Sequence, residues 1–111
     1  YNACWLSMKG ALDALSNLQT NKKIAVLGDM KELGSWSQEM HQKVLDYAET
    51  KVEKLFLIGP EWPQTKLPPQ AILFKNKKEL VLELQKSITE EDAVLIKGSN
   101  SHQLWTLLEE V

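Results

Sequence analysis

Two short segments of this chain carry residue types suited to holding anions, and each closes an apolar run. Gly28-Asp29-Met30-Lys31-Glu32-Leu33-Gly34 follows Lys23-Ile24-Ala25-Val26-Leu27. Lys97-Gly98-Ser99-Asn100-Ser101-His102 follows Ala93-Val94-Leu95-Ile96. A β-branched apolar run that ends on glycine is how a buried parallel strand closes, and ligands of open α/β sheets collect just past such ends. Asp29 then puts a carboxylate at that edge and Lys97 a cation. Gly98 permits close backbone approach. Ser99 and Ser101 add hydroxyls at a helix start, where free N–H groups attract phosphate or carboxylate. The segment is not a G-x-x-x-x-G-K-[ST] loop. The same residues also read as plain βα turns, with Asp29 and Ser101 as caps and Gly98 as a turn residue.

Other reactive types are sparser. His41 falls inside a helical stretch beside its apolar face, where a histidine packs more often than it catalyses. His102 reads as a solvated first-turn residue and Cys4 as a small apolar one. Trp105 lies on the inner face of the last helix, whereas Trp36 and Trp62 fall in loops and could line a cleft or a domain contact. No metal-ligand cluster and no serine–histidine–acid spacing is visible, so no metal site is expected.

Composition narrows the classes. With 111 residues, 43% hydrophobic and 25% charged, the chain is one soluble-type domain with a real core. All 13 basic residues are lysine, and the net charge is −2. Guanidinium stacking and bidentate guanine readout are thereby excluded, and no nucleic acid partner is expected. No apolar run is long enough to span a membrane. The start, Tyr1-Asn2-Ala3-Cys4-Trp5, has neither the basic and apolar regions of a signal peptide nor an initiator Met. A piece of a longer cytoplasmic protein is expected, which also suits a single cysteine.

The positioning elements follow from periodicity. Met8, Ala11, Leu12, Leu15 and Leu18 recur at helical spacing over Ser7–Leu18, with Ser7 as N-cap. Ser37 is expected to cap a second helix to about Thr50. Strands are expected at 23–27, 54–58, 71–74 and 92–97. Residues 59–70 hold all four prolines and read as a loop with one turn. Asn76, followed by Glu79, starts a helix through Ile88, and a last helix runs from His102 to Val111. The alternation predicts an α/β, Rossmann-like, mostly parallel sheet with helices on both faces. Ile24–Leu27, Leu55–Ile58 and Val94–Ile96 should be its buried strands, with Asp29 and Lys97 at one edge. Because the order opens on a helix, a first strand is expected to precede Tyr1.

These pieces, in this order, resemble the C-terminal domain of the Mur ligases. The matching residues are Tyr1-Asn2-Ala3, Ser7-Met8, Gly28 to Gly34 in full, His41, and Lys97-Gly98-Ser99-Asn100-Ser101. The likeness spans essentially all of 1–111, and Gly-Asp-Met points to the branch that joins D-Ala-D-Ala to UDP-MurNAc-tripeptide. Where that branch has Asn-Pro this chain has Cys4-Trp5, so a polar group and a rigid turn are both replaced. The resemblance implies a fragment of a three-domain, ATP-dependent enzyme of peptidoglycan synthesis. ATP and Mg2+ would be bound mainly by the central domain, the UDP moiety by the N-terminal one, and this domain would close over the site. It further implies that Asn2, Asp29, Lys97, Ser99 and Ser101 line the nucleotide and substrate cleft, with His41 and Glu32 one layer behind. The isolated chain should then be inactive. The competing expectation, favoured by Cys4-Trp5, is a non-catalytic α/β binding module of the same descent.

Overall fold

The computed structural model describes residues 2–98. Within it, α1 (Asn2–Ser16) leads to β1 (Lys23–Gly28), α2 (Ser37–Glu49), β2 (Lys54–Ile58), β3 (Ala71–Phe74), α3 (Lys77–Ser87) and β4 (Ala93–Lys97). The four strands form one sheet in the order β3-β2-β1-β4, and every pairing is parallel. The chain steps outward from β1 to β2 to β3, then returns across the sheet to lay β4 on the other side of β1. The point where the order reverses therefore lies between the carboxyl ends of β1 and β4. That is where an open α/β sheet leaves a crevice.

Strand alternation divides the core into two layers. Ala25, Leu27, Leu55 and Leu57 face α1 and α2, meeting Met8, Leu12, Met40, Val44 and Leu45. Ile24, Val26 and Phe56 face the other way, onto Leu80 and Leu84 of α3. Helices thus cover both faces, as the alternating pattern requires. Each of these large side chains that is fully enclosed contributes about 1.5–3 kcal/mol of transfer free energy. Val94–Ile96 differ from expectation in being only half-buried. Among the described residues β4 is an edge strand, paired on one side only.

Several local expectations are corrected. Helix α1 starts at Asn2, so Ser7 lies inside it rather than capping it. Nothing in Asn2–Leu6 breaks a helix, and tertiary contacts hold the added turn. The Trp5 ring meets Tyr47 of α2 edge-on at 5.5 Å, and Lys43 Nζ lies 4.4 Å from its centroid. The helix ends at Ser16, short of Leu18, with the Ser16 carbonyl accepting from Lys23 Nζ at 2.6 Å. Ser37 begins α2 but does not cap it. A 3-10 turn over Gly34–Trp36 runs straight into the helix, so Ser37 is already helical at φ −58, ψ −50, and its hydroxyl is used elsewhere. Asn76 does cap α3, its side chain accepting the Glu79 N–H at 2.9 Å. Trp62 lies not on a cleft but fully buried, in a 3-10 turn over Trp62–Gln64. Trp36 is 53% exposed. The expected last helix and Trp105 lie outside the described residues.

Candidate functional site

A cavity of about 660 Å³ opens at the crevice between β1 and β4. Its walls are Cys4, Ser7 and Met8 of α1, Met30 and Lys31 after β1, and the stretch Leu95–Gly98 that ends β4. Register explains why Lys97 is there. It pairs with Leu27 and so shares the face of the sheet that Leu27 and Leu95 turn toward α1. Just beyond, Gly98 adopts φ +116, and a Cβ on it would lie 2.3 Å from the Gly28 carbonyl oxygen. Only glycine lets β4 end this close to β1. The cavity therefore has an apolar wall and two ammonium-bearing side chains, Lys31 and Lys97, at its rim.

Asp29 sits at the same edge as Lys97, as the parallel reading requires, but not on the cavity. Its side chain is 4% exposed and turns toward the loop after β2. There its Oδ2 accepts the Glu61 N–H at 3.2 Å, and Gly59 packs against it so tightly that a Cβ would fall 2.4 Å from the carboxylate carbon. Asp29 reaches the cavity through Lys31, whose Nζ lies 3.2 Å from Oδ1. Lys31 was not singled out from sequence. The signal was available, because residues two apart on extended backbone share a side and the pair is Asp29-x-Lys31.

His41 is fully buried rather than half-buried, and both ring nitrogens are engaged. Nε2 accepts the Met30 N–H at 3.0 Å, and Nδ1 donates to the Ser37 carbonyl at 2.7 Å. Together these fix the neutral tautomer with its proton on Nδ1. The ring also meets Trp62 edge-on at 4.6 Å. Glu32 is exposed and turns the chain at φ 62. Asn2 is the first residue of α1, the element that supplies one cavity wall. Ser99 and Ser101 lie outside the described residues. Cys4, read as an apolar filler, is half-buried on the cavity wall. Among the described residues no three His, Cys, Asp or Glu side chains converge as metal ligands. No described helix is long and apolar enough to cross a membrane.

Comparison with known proteins agrees with this fold. Residues 1–100 match the family model described as Mur ligase, glutamate ligase domain. A UDP-N-acetylmuramoyl-tripeptide–D-alanyl-D-alanine ligase of Rickettsia prowazekii (strain Madrid E) is 32% identical over 109 residues, covering 94% of this chain and 24% of that protein. The ligase of the same name from Synechocystis sp. is 34% identical over 110 residues, covering 91% of this chain and 24% of that protein. The chain thus spans about a quarter of the length of these curated relatives. Among solved structures, the MurF ligase of Thermotoga maritima in complex with ADP superposes with a TM-score of 0.84 at 24% identity, over 96% of this chain and 26% of that one. MurF from Acinetobacter baumannii gives 0.79 at 24% identity, over 96% of this chain and 25% of that one. At that identity the structures speak for the fold, and the family follows from the sequence match: this chain belongs to the Mur ligases, as their glutamate ligase domain.

Proposed function

We propose that this domain is the C-terminal lid of a three-domain, ATP-dependent cytoplasmic ligase that joins D-Ala-D-Ala to UDP-MurNAc-tripeptide. The observation that carries the reading is the pair of lysines at the rim of a cavity lying where the strand order reverses. Two ammonium groups beside an apolar wall suit a ligand with an anionic end, either a carboxylate or a phosphate. When bound, ATP would supply the phosphoryl group that activates the acceptor carboxylate. The described residues fit its anionic character but not its metal, since no ligand set converges among the described residues. ATP and Mg2+ are therefore assigned mainly to the central domain. Lys97 and Lys31 neutralise and orient an anionic group at the cleft, with Asn2, Ser99 and Ser101 proposed beside them. Asp29, Glu32 and His41 belong to the supporting layer. Closure of the domain would exclude water that competes with the incoming amine for the activated carboxylate.

The test is Lys97→Ala in the full-length ligase. A lost charge-assisted contact of about 1.5–3 kcal/mol lowers kcat/KM by about 10- to 150-fold. The melting temperature should hold, because the side chain stands at the end of the sheet, and Lys78→Ala serves as the surface control. Equal activity of the two variants would reduce Lys97 to a solvated residue. The chain by itself should hydrolyse no ATP, and micromolar or tighter nucleotide binding by calorimetry would refute a lid role.

A further inference from the structure

The loop after β2 holds a residue to which no role has yet fallen. Glu61 contacts both the β1–α2 connection and the first residue of α2. Its backbone N–H donates to Asp29 Oδ2 at 3.2 Å, and its carboxylate accepts the Ser37 hydroxyl proton. Ser37 is 5% exposed, and its hydroxyl also accepts from Gln64 Nε2 at 3.3 Å. Its carbonyl takes the His41 Nδ1 proton, which leaves the Nε2 lone pair for the Met30 N–H. Serine, histidine and glutamate thus meet, but not as a nucleophilic set. The hydroxyl proton goes to the carboxylate, the facing ring nitrogen is a donor, and the oxygen is closed off from solvent. What remains is a mechanical linkage between two loops at the carboxyl edge of the sheet.

We infer that Glu61 is a positioning residue for the cleft. Through Ser37 and His41 it fixes Met30, and through its own N–H it fixes Asp29, which holds Lys31 by its ammonium. Both ends of the linkage thus act on Met30 and Lys31, which are cavity walls. The inference rests on the proposed reading of that cavity as a ligand site, but its test reads the linkage directly.

In the full chain, ¹⁵N spectra of the His41 ring and hydrogen exchange at the Met30 amide are compared in wild type, Glu61→Ala, Glu61→Gln and Ser37→Ala. The wild type should show the Nδ1-protonated tautomer. Glu61→Ala and Ser37→Ala leave the Ser37 carbonyl and so the Nδ1 proton in place, but by freeing that carbonyl's residue from the other loop they should speed Met30 exchange by roughly tenfold, while Leu80 and Leu84 in α3 are unchanged. Glu61→Gln keeps an acceptor oxygen for the Ser37 hydroxyl and should restore the Met30 protection. An Nε2-protonated wild-type ring would overturn the inference, and so would an unaltered Met30 amide in both alanine variants. If Glu61→Ala does not fold, Glu61→Gln and Ser37→Ala still decide. These changes with ligase function intact would leave the linkage standing and count against the lid reading alone.

Discussion

Replacing Gly59 by alanine should be among the most damaging small changes in this domain, and its cost can be built from the structure. The added Cβ would lie 2.4 Å from the Asp29 carboxylate carbon and 2.6 and 2.7 Å from its oxygens. Non-bonded carbons rest at about 3.5–4.0 Å, so the carboxylate must retreat by roughly 1 Å or more. It cannot do so freely, being 4% exposed and held by the Glu61 N–H and the Lys31 ammonium. Losing such a charge-assisted hydrogen bond costs about 1.5–3 kcal/mol. The backbone at φ +128 adds about 1–3 kcal/mol for any residue with a Cβ. The total, about 3–6 kcal/mol, is a large part of an ordinary domain's stability of about 5–15 kcal/mol. At roughly 4 °C per kcal/mol for this size, calorimetry should show the midpoint falling by about 12–24 °C. Gly10→Ala is the internal control, because nothing lies within 4 Å of its would-be Cβ and it sits mid-helix. It should raise the midpoint by about 2–4 °C, from a helix-propensity gain of about 0.5–1 kcal/mol. The steric share is isolated in an Asp29→Ala background, where the three clashing atoms are gone and only the backbone share should remain. A Gly59→Ala cost under about 1 kcal/mol would refute the reasoning, and so would an equal cost in the two backgrounds.

Three further outcomes are expected. Gly98→Ala brings a Cβ to 2.3 Å from the Gly28 carbonyl oxygen at φ +116, and backbone cannot yield as a side chain can; overpacking and strain together cost about 2–6 kcal/mol, read as a lowered denaturation midpoint. Asn76→Ala leaves the Glu79 N–H without its cap and should cost about 1 kcal/mol in urea unfolding. Acid should destabilise the fold through two aspartates. Hydrogen bonds from Tyr47 and then Lys9 hold the Asp13 carboxyl below its ordinary range, and for Asp92 burial pushes upward but is outweighed by the Thr89 and Lys22 backbone N–H groups. Both folded values lie below the unfolded value of about 3.9, so the stability they lend is complete above that pH and is lost as pH falls through the folded values. Thermal midpoints measured from pH 5 down to pH 2 should fall less steeply for Asp13→Asn and Asp92→Asn than for wild type.

The strands and their common edge were legible because each is a short apolar run closed by a polar or glycine residue, a local signal. The Asn76 cap was legible for the same reason, its partner standing three residues away. What escaped depends on partners far along the chain. Ser37 has the side chain of a cap but spends it on Glu61, which lies in another loop. Trp62, in a proline-rich stretch, is buried because its ring meets His41 and its indole N–H donates to the Ile58 carbonyl at 3.1 Å. The first turn of α1 depends on Trp5 meeting Tyr47 across two helices. Asp29 was placed at the right edge, but which way its carboxylate turned was set by the Glu61 N–H and by the room that Gly59 leaves.

That last point explains how a cleft can stay well defined when its cations are flexible lysines. Gly98 lets the end of β4 press on the backbone of Gly28, and Gly59 lets the end of β2 receive the carboxylate of Asp29. Three neighbouring strands are therefore interlocked at their carboxyl ends by contacts that tolerate no Cβ. One half of the interlock, at Gly98, lies in the cavity wall itself. Lys97 precedes Gly98 by one residue and Lys31 follows Asp29 by two, so both stems start from backbone that cannot drift. A strand-end glycine here acts through the neighbouring strand as much as through its own turn. The Gly59 and Gly98 substitutions should accordingly move the Lys31 and Lys97 backbone amides in NMR spectra, although neither glycine bears a charge. If those amides keep their shifts in a folded Gly59→Ala or Gly98→Ala protein, the cations are mounted independently of the interlock and the argument fails.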